Sequence, residues 1–159
     1  MKENTCCFSG HRRISKQMVD WINSRLFSEI ISAVNEGYDT FCVGGALGFD
    51  TLAAKQILDI KQAFPYIKLR LILPCKTQYA DWSKAQTSQY IEILERADSV
   101  EYISDEYTSG CMHERNRKLV DESSLCICYL TSAAGGTAYT VNYAKKAGIE
   151  VRNIADCLL

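Results

Sequence analysis

Thr40-Phe41-Cys42-Val43-Gly44-Gly45-Ala46-Leu47-Gly48-Phe49-Asp50 decides how the chain folds. A short strand-forming apolar run enters a glycine-rich turn, and helical periodicity begins at about Asp50. Glycines at a strand-to-helix junction let backbone N–H groups point at an anion, and the helix start adds positive potential. The spacing is not G-x-G-x-x-G, and no Gly-Lys-Ser/Thr follows to make a P-loop. Asp50 is read first as a helix cap acting through its carboxylate, and second as a contact for a ribose hydroxyl.

The same alternation extends in both directions. Upstream, Thr5 to Ser9 is a short apolar strand ending in Gly10. A helix over Lys16 to Glu36 follows, with Met18, Ile22, Leu26, Ile30 and Val34 recurring every fourth residue. Ser15 is its expected N-cap and Gly37 its stop. Downstream, a helix over Asp50 to Ala63 is closed by Pro65, and a strand over Ile67 to Leu73 is ended by Pro74. A loop from Cys75 to Trp82 leads to a polar helix over Ser83 to Arg96, then a strand at Ser99 to Ile103. A helix over Met112 to Glu122 precedes the apolar strand Leu125 to Leu130 and the loop Thr131 to Gly136. A last helix, Ala138 to Ala147, stops at Gly148 before a strand at Glu150 to Ile154. This order predicts an α/β fold, a Rossmann-like three-layer sandwich with a mostly parallel sheet. No repeat, low-complexity tract or linker interrupts the 159 residues, so a single domain is expected.

Composition narrows the partners. Net charge is −1, with 47% hydrophobic and 23% charged residues, so no global attraction to nucleic acid or anionic lipid is present. No apolar run approaches the roughly 20 residues that span a bilayer, and the N-terminus lacks the pattern of a signal peptide. A cytoplasmic protein without membrane contact is expected. Of the eight cysteines, Cys6, Cys7, Cys42, Cys126 and Cys128 lie in strand-like runs, where a thiol acts as a small hydrophobe. Cys126-x-Cys128 with Cys6, Cys7, His11 or His113 is the conceivable metal set, but no CxxC pair exists and no metal is expected.

Three loops at predicted strand ends carry the candidate chemistry, since ligands of open α/β sheets bind beyond the carboxyl ends of strands. Phe8-Ser9-Gly10-His11-Arg12-Arg13 combines a close turn with guanidinium partners for phosphate or carboxylate. Gly44 to Asp50 is the second. Ala133-Ala134-Gly135-Gly136-Thr137 is the third, with Thr137 as N-cap or as a hydroxyl donor to a ligand. Met112-His113-Glu114-Arg115-Asn116-Arg117-Lys118 reads as a basic helix start, otherwise as a solvated face. His11 and His113 are the only histidines, and no serine or cysteine stands in a nucleophile motif.

Taken in order, these segments resemble the SMF/DprA–LOG superfamily (SLOG), and within it the YpsA/YoqJ-like proteins of bacteria and phages. The resemblance covers nearly the whole chain. It also takes in Leu73-Pro74, Gln78, Trp82, Ala97-Asp98, Arg115-Asn116 and Tyr143-Ala144-Lys145-Lys146. It implies a Rossmann-like fold and a nucleotide-related ligand at the strand ends. LOG-type members hydrolyse nucleoside monophosphates, using a Met-His-Glu-Arg stretch and a Pro-Gly-Gly-x-Gly-Thr-x-Glu loop. Met112 to Arg115 matches the first and implies that Arg115 faces the ligand. The second fails: Tyr139, followed by Thr140, stands where the catalytic glutamate belongs, and a phenol with an ordinary pKa of about 10 replaces a carboxylate poorly.

Three functions follow. The favoured one is binding or sensing of a nucleotide or nucleotide-derived phosphate ligand, with occupancy passed to a protein partner. Its site comprises Ser9, Gly10, His11, Arg12, Gly44, Gly45, Ala46, Gly48, Asp50, Gln78, Trp82, Arg115, Asn116, Gly135, Gly136 and Thr137. The backbone of the glycine pairs is expected to hold phosphate, and Gln78 and Trp82 to close over a base. The second is a phosphoribohydrolase using Arg115 and Glu114 or Asp50. The third is DprA-like binding of single-stranded DNA through Arg12, Arg13, Arg115, Arg117 and Lys118. A homodimer is left open.

Overall fold

The structure is a computed structural model that describes residues 1–158. Six strands form one wholly parallel sheet: β1 (Thr5–Gly10), β2 (Thr40–Val43), β3 (Lys68–Cys75), β4 (Ser99–Ser104), β5 (Leu125–Tyr129) and β6 (Glu150–Asn153). Five α-helices connect them: α1 (Lys16–Asn35), α2 (Phe49–Lys61), α3 (Lys84–Arg96), α4 (Cys111–Asp121) and α5 (Gly136–Lys146). The spatial order is β4-β3-β2-β1-β5-β6. The chain therefore winds outward from β1 to one edge, then crosses back to place β5 on the other side of β1. The crevice between the ends of β1 and β5 is the switch point where such sheets bind ligands. The expected α/β Rossmann-like fold is the one observed.

Strand alternation divides the core into two layers. Phe8, Phe41, Val43, Leu69, Leu71, Leu73, Leu125 and Ile127 face α1, α2 and α3, and pack on Ile22, Leu26, Ile30, Ala53, Ile57 and Ile93. The opposite face carries Cys7, Cys42, Ile72, Cys126 and Cys128 against Leu119, Val120, Val141 and Ala144 of α4 and α5. Small thiols there let two helices lie close to the sheet. These cysteines are buried and free, and burial pushes the Cys42 and Cys128 thiols up to about 12, far from the reactive thiolate.

Element boundaries differ from expectation where side-chain partners decide them. Pro74 does not end β3, which continues to Cys75. β2 pairs with β3 only as far as Leu71, and the β4 pairing passes from Leu73 to Cys75, so the missing N–H of Pro74 breaks no ladder bond. Helix α5 begins at Gly136, with Gly135 as N-cap at φ 102°, so Thr137 lies inside the first turn and is not the cap. Asp50 likewise lies inside α2, whose N-cap is Gly48. Ser15 occupies the N-cap position of α1 without a side-chain capping bond, whereas Ser83 and Gln86 form a full capping box at α3. Asp98 accepts from the Leu69 N–H at 2.8 Å and pairs with Lys61, anchoring the start of β3. Among the described residues no helix is long and apolar enough to cross a membrane.

Gly10 ends β1 directly against the Phe49 ring, where a Cβ would overlap the ring atoms; Gly110 has open space around it. Gly10→Ala is predicted to lower unfolding stability by about 1–3 kcal/mol through overpacking. Gly110→Ala should stay within about 0.5 kcal/mol. Urea titration of both variants checks this; equal midpoints would remove the close-packing role assigned to Gly10.

Candidate functional site

A cavity of about 300 Å³ opens at the switch point. Its walls are the end of β1 and the following turn (Phe8, Ser9, Gly10, His11, Arg12), Ala46 and Asp50 around the α2 start, Met112, His113, Arg115, Asn116 and Leu119 of α4, and Gly136 and Thr137 of α5. Ten of the predicted site residues thus meet in one place: Ser9, Gly10, His11, Arg12, Ala46, Asp50, Arg115, Asn116, Gly136 and Thr137.

The glycines of the β2 loop do something other than line the cavity. At Gly44, a Cβ would stand 2.7 Å from Nη1 of Arg115, so the bare backbone makes room for that guanidinium. Gly45 (φ 72°) and Gly48 (φ 76°) take the left-handed conformation that glycine tolerates. A Cβ on Gly45 would strike Leu73, and one on Gly48 the Arg12 carbonyl. Gly44, Gly45, Gly48 and Gly135 lie outside the cavity lining. The Ala46 N–H is also engaged, donating to Asp50 Oδ2 at 3.1 Å.

Arg115 and Asp50 form the polar floor. Arg115 is only 4% exposed and Asp50 6%. Nη1 of Arg115 donates to the Gly44 carbonyl, and Nε donates to Asn116 Oδ1 at 2.8 Å. Burial pulls the Arg115 pKa down, opposed by the Asp50 carboxylate. Burial pushes Asp50 up to about 6, with Arg115, the Ala46 N–H and Arg12 drawing it back. Among the described residues, Asp50 is the only carboxylate lining the cavity. Glu114, the other candidate acid, is exposed on α4 and outside the lining.

His11 fastens the two sides of the switch point. Its Nε2 accepts from the Thr131 N–H at 2.9 Å, its ring lies edge-on to Tyr129 with centroids 5.7 Å apart, and its carbonyl accepts the Phe49 N–H at 3.1 Å. Desolvation lowers the His11 pKa, which favours the neutral ring that this acceptor role requires. Beyond β5, Asn153 grips Leu130 through both amide atoms, at 3.1 and 3.0 Å, and sets where the glycine loop departs. Nothing in the sequence marked Asn153. Met112, by contrast, was within reach as the first residue of the Met-His-Glu-Arg stretch.

Gln78 and Trp82 do not line this cavity. They belong to a second one of about 330 Å³ with Arg12, Cys75, Thr77, Tyr107 and Met112. Gln78 Nε2 donates to the Tyr90 hydroxyl at 3.0 Å, and Trp82 meets Tyr90 edge-on, with centroids 5.1 Å apart. Tyr139, at the position of the LOG glutamate, accepts from Arg117 Nη1 at 2.9 Å, and its ring centroid lies 4.1 Å from that of His113.

The family model described as the YspA SLOG family matches residues 9–155. The chain belongs to this family. A UPF0398 protein of Halalkalibacterium halodurans is 30% identical over 131 residues, covering 80% of this chain and 69% of that relative. Two solved structures share the fold of this SLOG protein. DNA processing protein A from Helicobacter pylori, described with a single-stranded DNA binding mode, has a TM-score of 0.65 at 16% identity, over 94% of this chain and 64% of its own. DNA processing protein A from Streptococcus pneumoniae has a TM-score of 0.68 at 17% identity, over 94% of this chain and 49% of its own. The SLOG chain therefore spans half to two-thirds of these neighbours.

Raising the Asp50 pKa in the folded state means that the folded protein holds this proton more tightly than the unfolded chain. Its contribution to stability is therefore largest at low pH and is lost as pH rises through about 4 to 6. The unfolding free energy of the wild type minus that of Asp50→Asn is predicted to fall, on the order of 2 kcal/mol, between pH 4 and pH 7. Urea titrations of both proteins across that range test it; a flat difference would mean an ordinary Asp50.

Proposed function

We propose that this protein binds a nucleotide or nucleotide-derived phosphate ligand in the switch-point cavity and acts as a sensor of it. The observation that carries this reading is the joint arrangement of Arg12, the buried Asp50–Arg115 floor and the α5 start. Arg12 makes no ion pair among the described residues and lines the cavity beside the Gly136–Thr137 turn. A free guanidinium next to a helix N-terminus suits phosphate oxygens. An acceptor carboxylate on the floor suits sugar hydroxyls. A sensing role would pass occupancy to a protein partner.

A second reading is hydrolysis of a nucleoside monophosphate. The observation favouring it is Asp50, a cavity carboxyl held near pKa 6, the range in which a general acid or base works. Release of free base, abolished by Asp50→Asn, would support this reading over the sensor; none from AMP would refute it for that substrate. Single-stranded DNA is the third reading, motivated by the Helicobacter pylori neighbour. Of the five cations it requires, Arg115 is buried, Lys118 pairs with Glu101 and Glu122, and Arg117 binds Tyr139. Arg12 and Arg13 are a small remainder for a strand-binding surface.

Thermal unfolding against AMP, ADP and a short DNA strand tests the proposal. A ligand at one hundred times its Kd should stabilise the protein by about 2.7 kcal/mol. Arg12→Ala is predicted to weaken nucleotide binding at least tenfold while leaving the midpoint of the free protein unchanged, because the side chain is exposed. No stabilisation by either nucleotide would count against the reading, as would an Arg12→Ala variant that binds as the wild type does.

A further inference from the structure

Arg12 walls three concavities, and their carboxylates separate them. The switch-point cavity contains Asp50, and the one beside it, with Gln78 and Trp82, contains Asp81. The third is a groove of about 510 Å³ bounded by the turn after β1, the start of α1, α2 and α3. Among the described residues no carboxylate lines it, whereas Arg12, Arg13 and Lys55 do, and all three side chains are exposed. Elsewhere the fold meets its prominent cations with acids: Arg70 and Lys118 each pair with Glu101 and Glu122, and Arg152 with Glu29, Glu36 and Glu150. Arg12, Arg13 and Lys55 form no ion pair among the described residues. Cations gathered without counter-charges create a local positive potential, although the chain as a whole is at −1.

Between these cations the groove is apolar. Ile14, Val19, Leu47 and Leu52 are half-buried in it. Gln86 and Gln89 of α3 add amides, and because Gln86 Oε1 already accepts the Ser83 N–H, its remaining capacity is to donate. No aromatic side chain lines the groove among the described residues, so it lacks the stacking platform that single-stranded nucleic acid uses. Aliphatic seats set among cations and amide donors instead fit a peptide that carries both carboxylates and apolar side chains.

We infer that this groove is the docking surface for an acidic peptide segment, bearing apolar side chains, of a partner protein. The inference gives the sensing role proposed above its class of partner, and rests on that reading for its link to the ligand. Arg12 walls both the groove and the switch-point cavity, and Gly48 of the groove lies against the Arg12 and His11 carbonyls.

Selection of a random peptide display library on the full chain, followed by fluorescence anisotropy of the enriched peptides, tests it. Enriched peptides should combine several carboxylates with apolar residues. Arg13→Glu with Lys55→Glu should weaken the tightest of them at least tenfold. Both side chains are exposed, so the melting midpoint of this double variant should match that of the wild type. Val19→Asp, with its midpoint measured because Val19 is half-buried, should weaken the same peptide at least fivefold. The same charge reversal at the exposed Lys145 and Lys146 of α5, outside the groove, should leave affinity unchanged. No enrichment, enriched peptides without an acidic bias, or equal effects of the two charge reversals would overturn the docking surface. So would an oligothymidine strand that binds more tightly than every peptide and is lost on Arg13→Glu with Lys55→Glu. Arg13 and Lys55 do not line the switch-point cavity. Loss of docking in their variant with stabilisation by AMP or ADP retained would therefore separate the two sites, and failure of docking alone would spare the nucleotide-binding reading.

Discussion

The buried guanidinium of Arg115 is the constraint around which the ligand end of the protein is arranged. A cation removed from water must be met by acceptors and an opposite charge, and removing one partner leaves the other stranded. The segment around the start of α2, distant in sequence, and the next residue of α4 itself supply what it needs. The loop after β2 offers the Gly44 carbonyl, α2 offers Asp50, and α4 itself offers Asn116. Gly44 is glycine because the guanidinium lies where a Cβ would be. Asp50 is held in turn by the Ala46 N–H. The loop is therefore shaped from behind by α4, and the cavity in front inherits a floor with both signs of charge.

A second interlock closes the sheet around this floor. Gly10 admits the Phe49 ring, which stacks on Tyr129 with centroids 6.2 Å apart; His11 lies against Tyr129 and takes the Thr131 N–H. Gly48 then lets the start of α2 approach the His11 and Arg12 carbonyls. The segments after β1, β2 and β5 become one packed unit through aromatic contacts and glycine-permitted approach. Arg12 is thereby fixed at its backbone while its side chain stays free of ion pairs among the described residues, which suits the ligand contact proposed for it above.

Periodicity made nearly all of the architecture readable from the sequence, because alternating strands and four-residue helical repeats report directly on burial. What escaped was set by groups far along the chain. Pro74 looks like a terminator until β2 is found to stop pairing at Leu71. Thr137 and Asp50 look like caps because local rules favour them, yet Gly135 and Gly48, at positive φ, hold those positions. The glycine-rich loop correctly marked the end of the sheet that bears the cavity, but its individual glycines answer to Arg115, Leu73 and Arg12. No local pattern announces a partner 71 residues away. Tyr107 and Asn153 carried no signal at all, since each acts through tertiary placement alone.

Tyr139 bears most directly on chemistry. Its phenol accepts from Arg117 and its ring packs on His113, so the side chain is used to join α5 to α4 beside the cavity and is absent from the cavity's lining. A carboxylate at this position would pair with the same arginine and bring negative charge to the α5 side. Here the negative charge comes from Asp50, which already holds the Ala46 N–H and feels the charge of Arg115. Stabilising positive charge on a breaking glycosidic bond requires a carboxylate whose field is not already offset. Asp50 is offset by a buried guanidinium, which makes it better suited to accepting hydroxyl hydrogen bonds from a retained ligand than to driving the cleavage of one. Tyr139, placed outside the cavity, accords with the binding role proposed above for this site.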